Sequence, residues 1–137
     1  METFINILVI NYIIMKKTVL VVDDEPSIVE LEKSILESIG CSVITANNGT
    51  EALKILKKEK VSLVVLDMMM PGMSGREVCE EIRKISKLKK LKIVFVTVAK
   101  FSDAGQDVLK KMGVSDYITK PFEVDDLIKR IKKHLVS

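Results

Sequence analysis

The 137-residue chain carries a single histidine and two cysteines, and each scarcity excludes a class of chemistry. One histidine, His134, makes neither a catalytic triad nor an imidazole metal site. Its place near the end of the last helical pattern suits a favourable charge at a helix C-terminus. Cys41 and Cys79 are too few for a disulfide framework and lack metal-ligand spacing, which points to a reducing compartment and a cytoplasmic location. An excess of one charge is missing as well, since 22 Lys+Arg against 19 Asp+Glu leave a net charge of +3. The lysines gather in KKEK (57–60) and KLKKLK (87–92), beside expected helix ends and without an aromatic-basic stripe. A solvated surface is therefore expected there, with no direct nucleic-acid contact. No apolar run reaches the roughly 20 residues of a membrane-spanning helix.

The stretch METFINILVINYIIM comes nearest, being apolar from Phe4 to Met15. Glu2 is acidic, no basic segment precedes the apolar part and no A-x-A-like cleavage site follows, so it does not read as a signal peptide. Met15-Lys16-Lys17 has the look of a start in its own right. Residues 1–15 are accordingly read as an apolar extension outside the domain, dispensable for its chemistry, and residues 16–137 as the domain. A misplaced start, a segment docking onto this or a neighbouring copy (hence a homodimer) and a membrane-surface tether are the three readings of the extension. The tether is the weakest, because no basic residue precedes Lys16; membrane association is not expected.

What the chain does have is alternation. TVLVV (18–22), SVITA (42–46), LVVL (63–66), KIVFVT (92–97) and DYIT (116–119) are short, β-branched-rich apolar runs that read as strands. Between and after them lie five helical patterns: 26–40, opened by Pro26 and stopped by Gly40, then 49–60, 75–85, 102–113 and 123–135. Ile28, Leu31, Ile35 and Ile39 are assigned to the apolar face of the first. Strict βα alternation with continuous apolar strands predicts a parallel sheet covered on both faces, with ligands bound beyond the carboxyl ends of the strands.

Those ends carry the polar residues. Strand one runs into Asp23-Asp24-Glu25, strand three into Asp67, strand four ends on Thr97 and strand five is followed by Lys120-Pro121. Three aspartates from two strands meeting on one rim require a neutralising cation. A donor set of oxygen alone points to a hard ion, and an incomplete protein shell suits Mg²⁺, which keeps several waters. An aspartate nucleophile beside a hydroxyl and an ammonium fits phosphoryl transfer to a carboxylate, giving an acyl phosphate.

VVDDEP (21–26), LDMMMPGMSG (66–75), FVT (95–97) and SDYITKPF (115–122) together resemble the CheY-like receiver domain of two-component response regulators, in order and over almost the whole chain from about Lys16. The resemblance implies a flavodoxin-like α/β/α sandwich on a five-stranded parallel sheet of order 2-1-3-4-5. It implies Asp67 as phosphoacceptor, Asp23, Asp24, Asp67 and the Met69 carbonyl as Mg²⁺ ligands, Thr97 and Lys120 as phosphoryl contacts, and Thr97 with Tyr117 as the switch pair. A cis Lys120–Pro121 bond belongs to the same expectation. The implied role is a signalling module, not an enzyme beyond its own phosphorylation and dephosphorylation. A sensor histidine kinase or phosphotransfer protein would supply the phosphoryl group. An effector would dock on the fourth helix, fifth strand and fifth helix, where Lys100, Tyr117 and Lys129-Arg130-Ile131-Lys132-Lys133 stand.

Two departures from the family pattern stand out. Val98 follows Thr97 where a small residue is usual, which narrows access to the site or hinders the threonine. Met69 and Ala99 occupy positions where polar side chains often orient the hydrolytic water. Two rivals fail on residue type. A haloacid-dehalogenase-type phosphohydrolase needs Asp-x-Asp, but the second position is Met69. A flavodoxin-like cofactor binder needs a glycine- and hydroxyl-rich loop after strand one, where Asp23-Asp24-Glu25 would repel a phosphate.

Overall fold

A computed structural model describes residues 3–137. Its five strands, β1 (Thr18–Val22), β2 (Ser42–Ala46), β3 (Leu63–Leu66), β4 (Lys92–Thr97) and β5 (Val114–Thr119), form one parallel sheet of order β2-β1-β3-β4-β5. The expected strands stand where their apolar runs lie, except that β5 begins two residues earlier, at Val114. Six α-helices accompany them: α1 (Phe4–Met15), α2 (Pro26–Ser38), α3 (Gly49–Lys58), α4 (Gly75–Lys84), α5 (Asp103–Lys111) and α6 (Val124–Val136), with one 3-10 turn at Ser86–Leu88. The helices of the alternating pattern are thus α2 to α6, each ending within about two residues of its expected limit, the usual uncertainty of a helix end.

Side chains alternate across each strand, and both faces of the sheet are buried. Leu20, Val22, Val64, Leu66, Ile93 and Phe95 pack on one face against residues of α3, α4 and α5. Val19, Val21, Leu63, Val65, Val94 and Val96 pack on the other against residues of α2 and α6. This two-sided burial is why the strands read as unbroken apolar runs. On α2, however, the inward residues are Val29, Glu32, Ile35 and Leu36, whereas Leu31 is exposed and Ile28 and Ile39 are half-buried. Of the expected stripe Ile35 is buried as assigned, and its inward neighbours are Val29, Glu32 and Leu36, so the inner face carries a carboxylate.

Residues 4–15 form a helix in their own right. The Thr3 hydroxyl caps it by accepting from the Asn6 N–H at 3.2 Å. Ile14 is fully buried in the cluster that holds Leu36, Cys41 and Leu135, and Ile10 packs against the same cluster. Most of the helix stands clear of it, with Phe4 and Ile5 among its most exposed residues. Ile14→Ala should therefore cost about 2–4 kcal/mol in urea unfolding, by cavity formation. The exposed Ile5→Ala should stay within about 0.5 kcal/mol. Equal small losses at the two positions would show that α1 does not share the core.

Candidate functional site

Register builds the site. Val22 pairs with Leu66, so the residues that follow, Asp23 and Asp67, leave the sheet side by side. The Asp67 N–H donates to the Val22 carbonyl at 3.0 Å and fixes that step. Thr97 pairs with Thr119, and the Lys120 N–H donates to the Thr97 carbonyl at 2.8 Å, which brings the lysine to the same rim. The Lys120–Pro121 bond is cis. Gly75 opens α4 directly against the chain at Asp67. A Cβ there would collide with the Asp67 carbonyl oxygen and lie 2.7 Å from the Met68 Cα, so only glycine allows this approach.

Asp23, Asp24 and Asp67 each offer a carboxylate oxygen, all within 4.8 Å of one another. Asp23, Asp67 and Thr97 are buried. The Lys120 ammonium lies 2.6 Å from Asp23 Oδ2 and 3.5 Å from Asp67 Oδ2. The Met69 N–H donates to Asp67 Oδ1 at 3.1 Å, and the Glu25 N–H to Asp23 Oδ1 at 3.0 Å. Burial pushes the Asp67 carboxyl above its ordinary range, although the Met69 N–H, Lys120 and the Thr97 hydroxyl favour its charged form. Burial alone would depress the Lys120 ammonium. The hydrogen bond and charge of Asp23, with the charge of Asp67, outweigh it and raise that group instead. Three carboxylates against one ammonium leave negative charge in excess, and the all-oxygen donor set suits a hard cation.

The remaining expected residues are placed as follows. Met69 is exposed, and Val98 is too, lining an apolar groove with Ile28, Leu31, Pro121, Phe122 and Val124. The Ala99 N–H donates to the Thr97 hydroxyl oxygen at 3.3 Å. Tyr117 is half-buried and meets Phe101 edge-on, ring centres 5.0 Å apart. Of the basic stretch assigned to docking, Ile131 lies in the core and Arg130 is paired with Asp116 and Asp126. His134 faces Asp116 at 3.1 Å, a more specific setting than a free charge at a helix end.

One site residue escaped the sequence reading. Glu32, on the inner face of α2, is 2% exposed, and its Oε2 has no hydrogen-bond partner among the described residues. Burial pushes its carboxyl up from 4.5 to about 8, with the Lys120 charge opposing and the Asp23 and Asp67 charges adding to the rise. The signal available was a charged residue three after Val29 and four before Leu36 on a helix whose inner face needs apolar groups.

The family description of the response regulator receiver domain matches residues 19–132. The transcriptional regulatory protein YvrH of Bacillus subtilis is 42% identical over 119 residues, 86% of this chain and 48% of that protein. The alkaline phosphatase synthesis transcriptional regulatory protein PhoP of Bacillus subtilis is 42% identical over 118 residues, again 86% of this chain and 48% of that protein. The chain thus spans about half the length of the curated relatives it matches. Among solved structures, the chemotaxis protein CheY4 of Vibrio cholerae superposes with a TM-score of 0.80 at 31% identity, covering 85% of this chain and 97% of that one. The response regulator TrrA of Thermotoga maritima, in complex with Mg(2+)-BeF, superposes with a TM-score of 0.75 at 43% identity, covering 86% and 98%.

Glu32 gives the site a pH signature. Its folded pKa lies above the unfolded value, so the folded state holds the proton more tightly, and stability falls as pH rises from about 4.5 to about 8. In the metal-free protein Glu32→Gln should flatten that slope. At pH 8.5 the variant should be the more stable by a few kcal/mol, and near pH 4.5 the two should be close. Identical pH slopes in denaturant titrations would show that Glu32 is not held neutral.

Proposed function

The chain belongs to the response regulator receiver domain family, and we propose that it is a phosphoacceptor switch in which Asp67 takes a phosphoryl group from the phosphohistidine of a sensor kinase or phosphotransfer protein. The observation that carries this reading is the convergence of the Asp23, Asp24 and Asp67 oxygens within 4.8 Å beside the Lys120 ammonium. Residues 16–137 are the receiver domain in this reading and residues 1–15 an extension of it. The domain works in the cytoplasm, where its kinase partner's catalytic part would meet it. The transcriptional role named for the two Bacillus proteins is said of whole proteins about twice this length.

An Asp67 carboxylate oxygen attacks phosphorus in line; the new O–P bond forms as the P–N bond to the donor imidazole breaks, and the imidazole leaves with the electron pair. Asp23, Asp24, Asp67 and the Met69 carbonyl would hold Mg²⁺, which when bound supplies charge neutralisation at the phosphoryl oxygens. Lys120 releases Asp23 and pairs with a phosphoryl oxygen, while the Thr97 hydroxyl donates to another. Inward movement of Thr97 is transmitted along β4 to Tyr117 on neighbouring β5. The surface of α5, β5 and α6 then presents a changed face to the effector, with Lys100 and Tyr117 on it. Within the basic stretch Ile131 is buried and Arg130 is paired inside the domain, so neither is offered to that partner.

Asp67→Asn should abolish the Mg²⁺-dependent mass gain from acetyl phosphate, and full labelling in that variant would overturn the assignment. The lifetime of the acyl phosphate depends on Met69 and Ala99, whose apolar side chains cannot orient a hydrolytic water. Met69→Asn with Ala99→Glu should accelerate dephosphorylation by about tenfold, followed by intact-protein mass spectrometry. An unchanged or slower decay would remove these two positions from the hydrolytic step.

A further inference from the structure

α1 is apolar on every face apart from Asn6 and Asn11 and carries no charged residue, and its inner side packs on the domain through Ile14 and Ile10. Phe4, Ile5, Leu8, Val9 and Tyr12 stand outward with at least half of each side chain exposed, Phe4 at 74%. Such a patch is larger than scattered surface apolar residues and marks a binding surface. The fold adds what the linear sequence lacks. Ile7, Ile10 and Asn11 of α1 line one open groove with Lys129, Lys132 and Lys133 of α6, a groove of about 300 Å³. Beyond the groove, at the C-terminal end of α1, the Lys16 ammonium sits 5.3 Å from the centre of the Tyr12 ring. An apolar ridge is thereby rimmed by lysines drawn from two elements more than a hundred residues apart in sequence.

We propose that α1 and the Lys129, Lys132 and Lys133 rim form a docking surface for an anionic lipid bilayer, with α1 lying in the plane of the head groups. A helix of 12 residues is about 18 Å long, too short for a hydrocarbon core of about 30 Å. Among the described residues no helix is long and apolar enough to cross a membrane. A flat-lying helix needs no such length. Its apolar side enters the acyl boundary while lysines meet lipid phosphates, and Tyr12 with Lys16 suits the depth where one end of a side chain is apolar and the other wet. A second copy is the poorer occupant. Facing helices would oppose their lysine rims, and a contact of roughly 18 by 10 Å falls well short of the roughly 800 Å² per partner of a stable interface. α1 joins β1 at Thr18, the end of the strand away from Asp23, so docking leaves the acidic rim free.

The attachment is of the marginal, reversible kind that needs both the apolar and the basic contribution. Co-sedimentation of the full chain with vesicles of phosphatidylcholine alone, or of phosphatidylcholine with phosphatidylglycerol, tests it. Binding is expected to the second and not the first, and high salt should release it. Lys129→Glu with Lys133→Glu should weaken it by at least about twentyfold. Leu8→Glu should abolish it, while circular dichroism reports an intact fold in each variant, since these positions are exposed. No sedimentation with anionic vesicles overturns the proposal, as does equal binding to neutral ones. A concentration-dependent dimer dissolved by Leu8→Glu, without lipid binding, would assign the ridge to a second copy instead.

Discussion

One ammonium holds the site together. Lys120 stands 2.6 Å from Asp23 and 3.5 Å from Asp67, both buried, and without it two carboxylates side by side at the sheet edge would repel each other in a poorly hydrated place. Everything that fixes the rim serves this contact. The β1–β3 register sets the aspartates abreast, the β4–β5 register delivers the lysine, and the bare Cα of Gly75 lets α4 begin against Asp67. In the proposed switch this contact is the resting arrangement, since a lysine engaged with Asp23 would have to leave it to reach a phosphoryl oxygen. A cation held by Asp23 would free the lysine and share with it the neutralisation of phosphoryl charge.

Glu32 changes the balance from beneath. Kept neutral by burial, it adds no fourth negative charge to the cluster near neutral pH; ionised, it would compete for Lys120. Its burial on the inner face of α2 makes its own carboxyl responsive to pH.

The strands and their polar ends were legible because a parallel sheet covered on both sides demands unbroken apolar runs, and a carboxylate at the end of one has nowhere to point but outward. LVVL followed by Asp67 and KIVFVT ending in Thr97 are such cases. Helical period was less decisive. On α2 the stripes Ile28–Leu31–Ile35 and Val29–Glu32–Leu36 differ by one position, and the choice belongs to the helix's rotation against the sheet, which hid Glu32. Contacts between distant segments were not legible at all. Asp116 meets Arg130 and His134 from another element, so the basic stretch read as free was partly engaged. The lysines of α6 likewise became neighbours of α1 only through packing, so a sequence search for basic residues flanking the N-terminal segment could not find them.

The competition between Lys120 and a divalent cation for Asp23 is open to direct measurement. Isothermal titration with Mg²⁺ of the full chain and of Lys120→Met should show tighter binding in the variant, whose Asp23 and Asp67 are no longer engaged by an ammonium. Denaturant unfolding without metal should show the variant to be the less stable, since its like charges are unbalanced. If Lys120→Met binds Mg²⁺ with unchanged or weaker affinity, Lys120 is not the counter-ion that the metal displaces, and the account of the site is wrong.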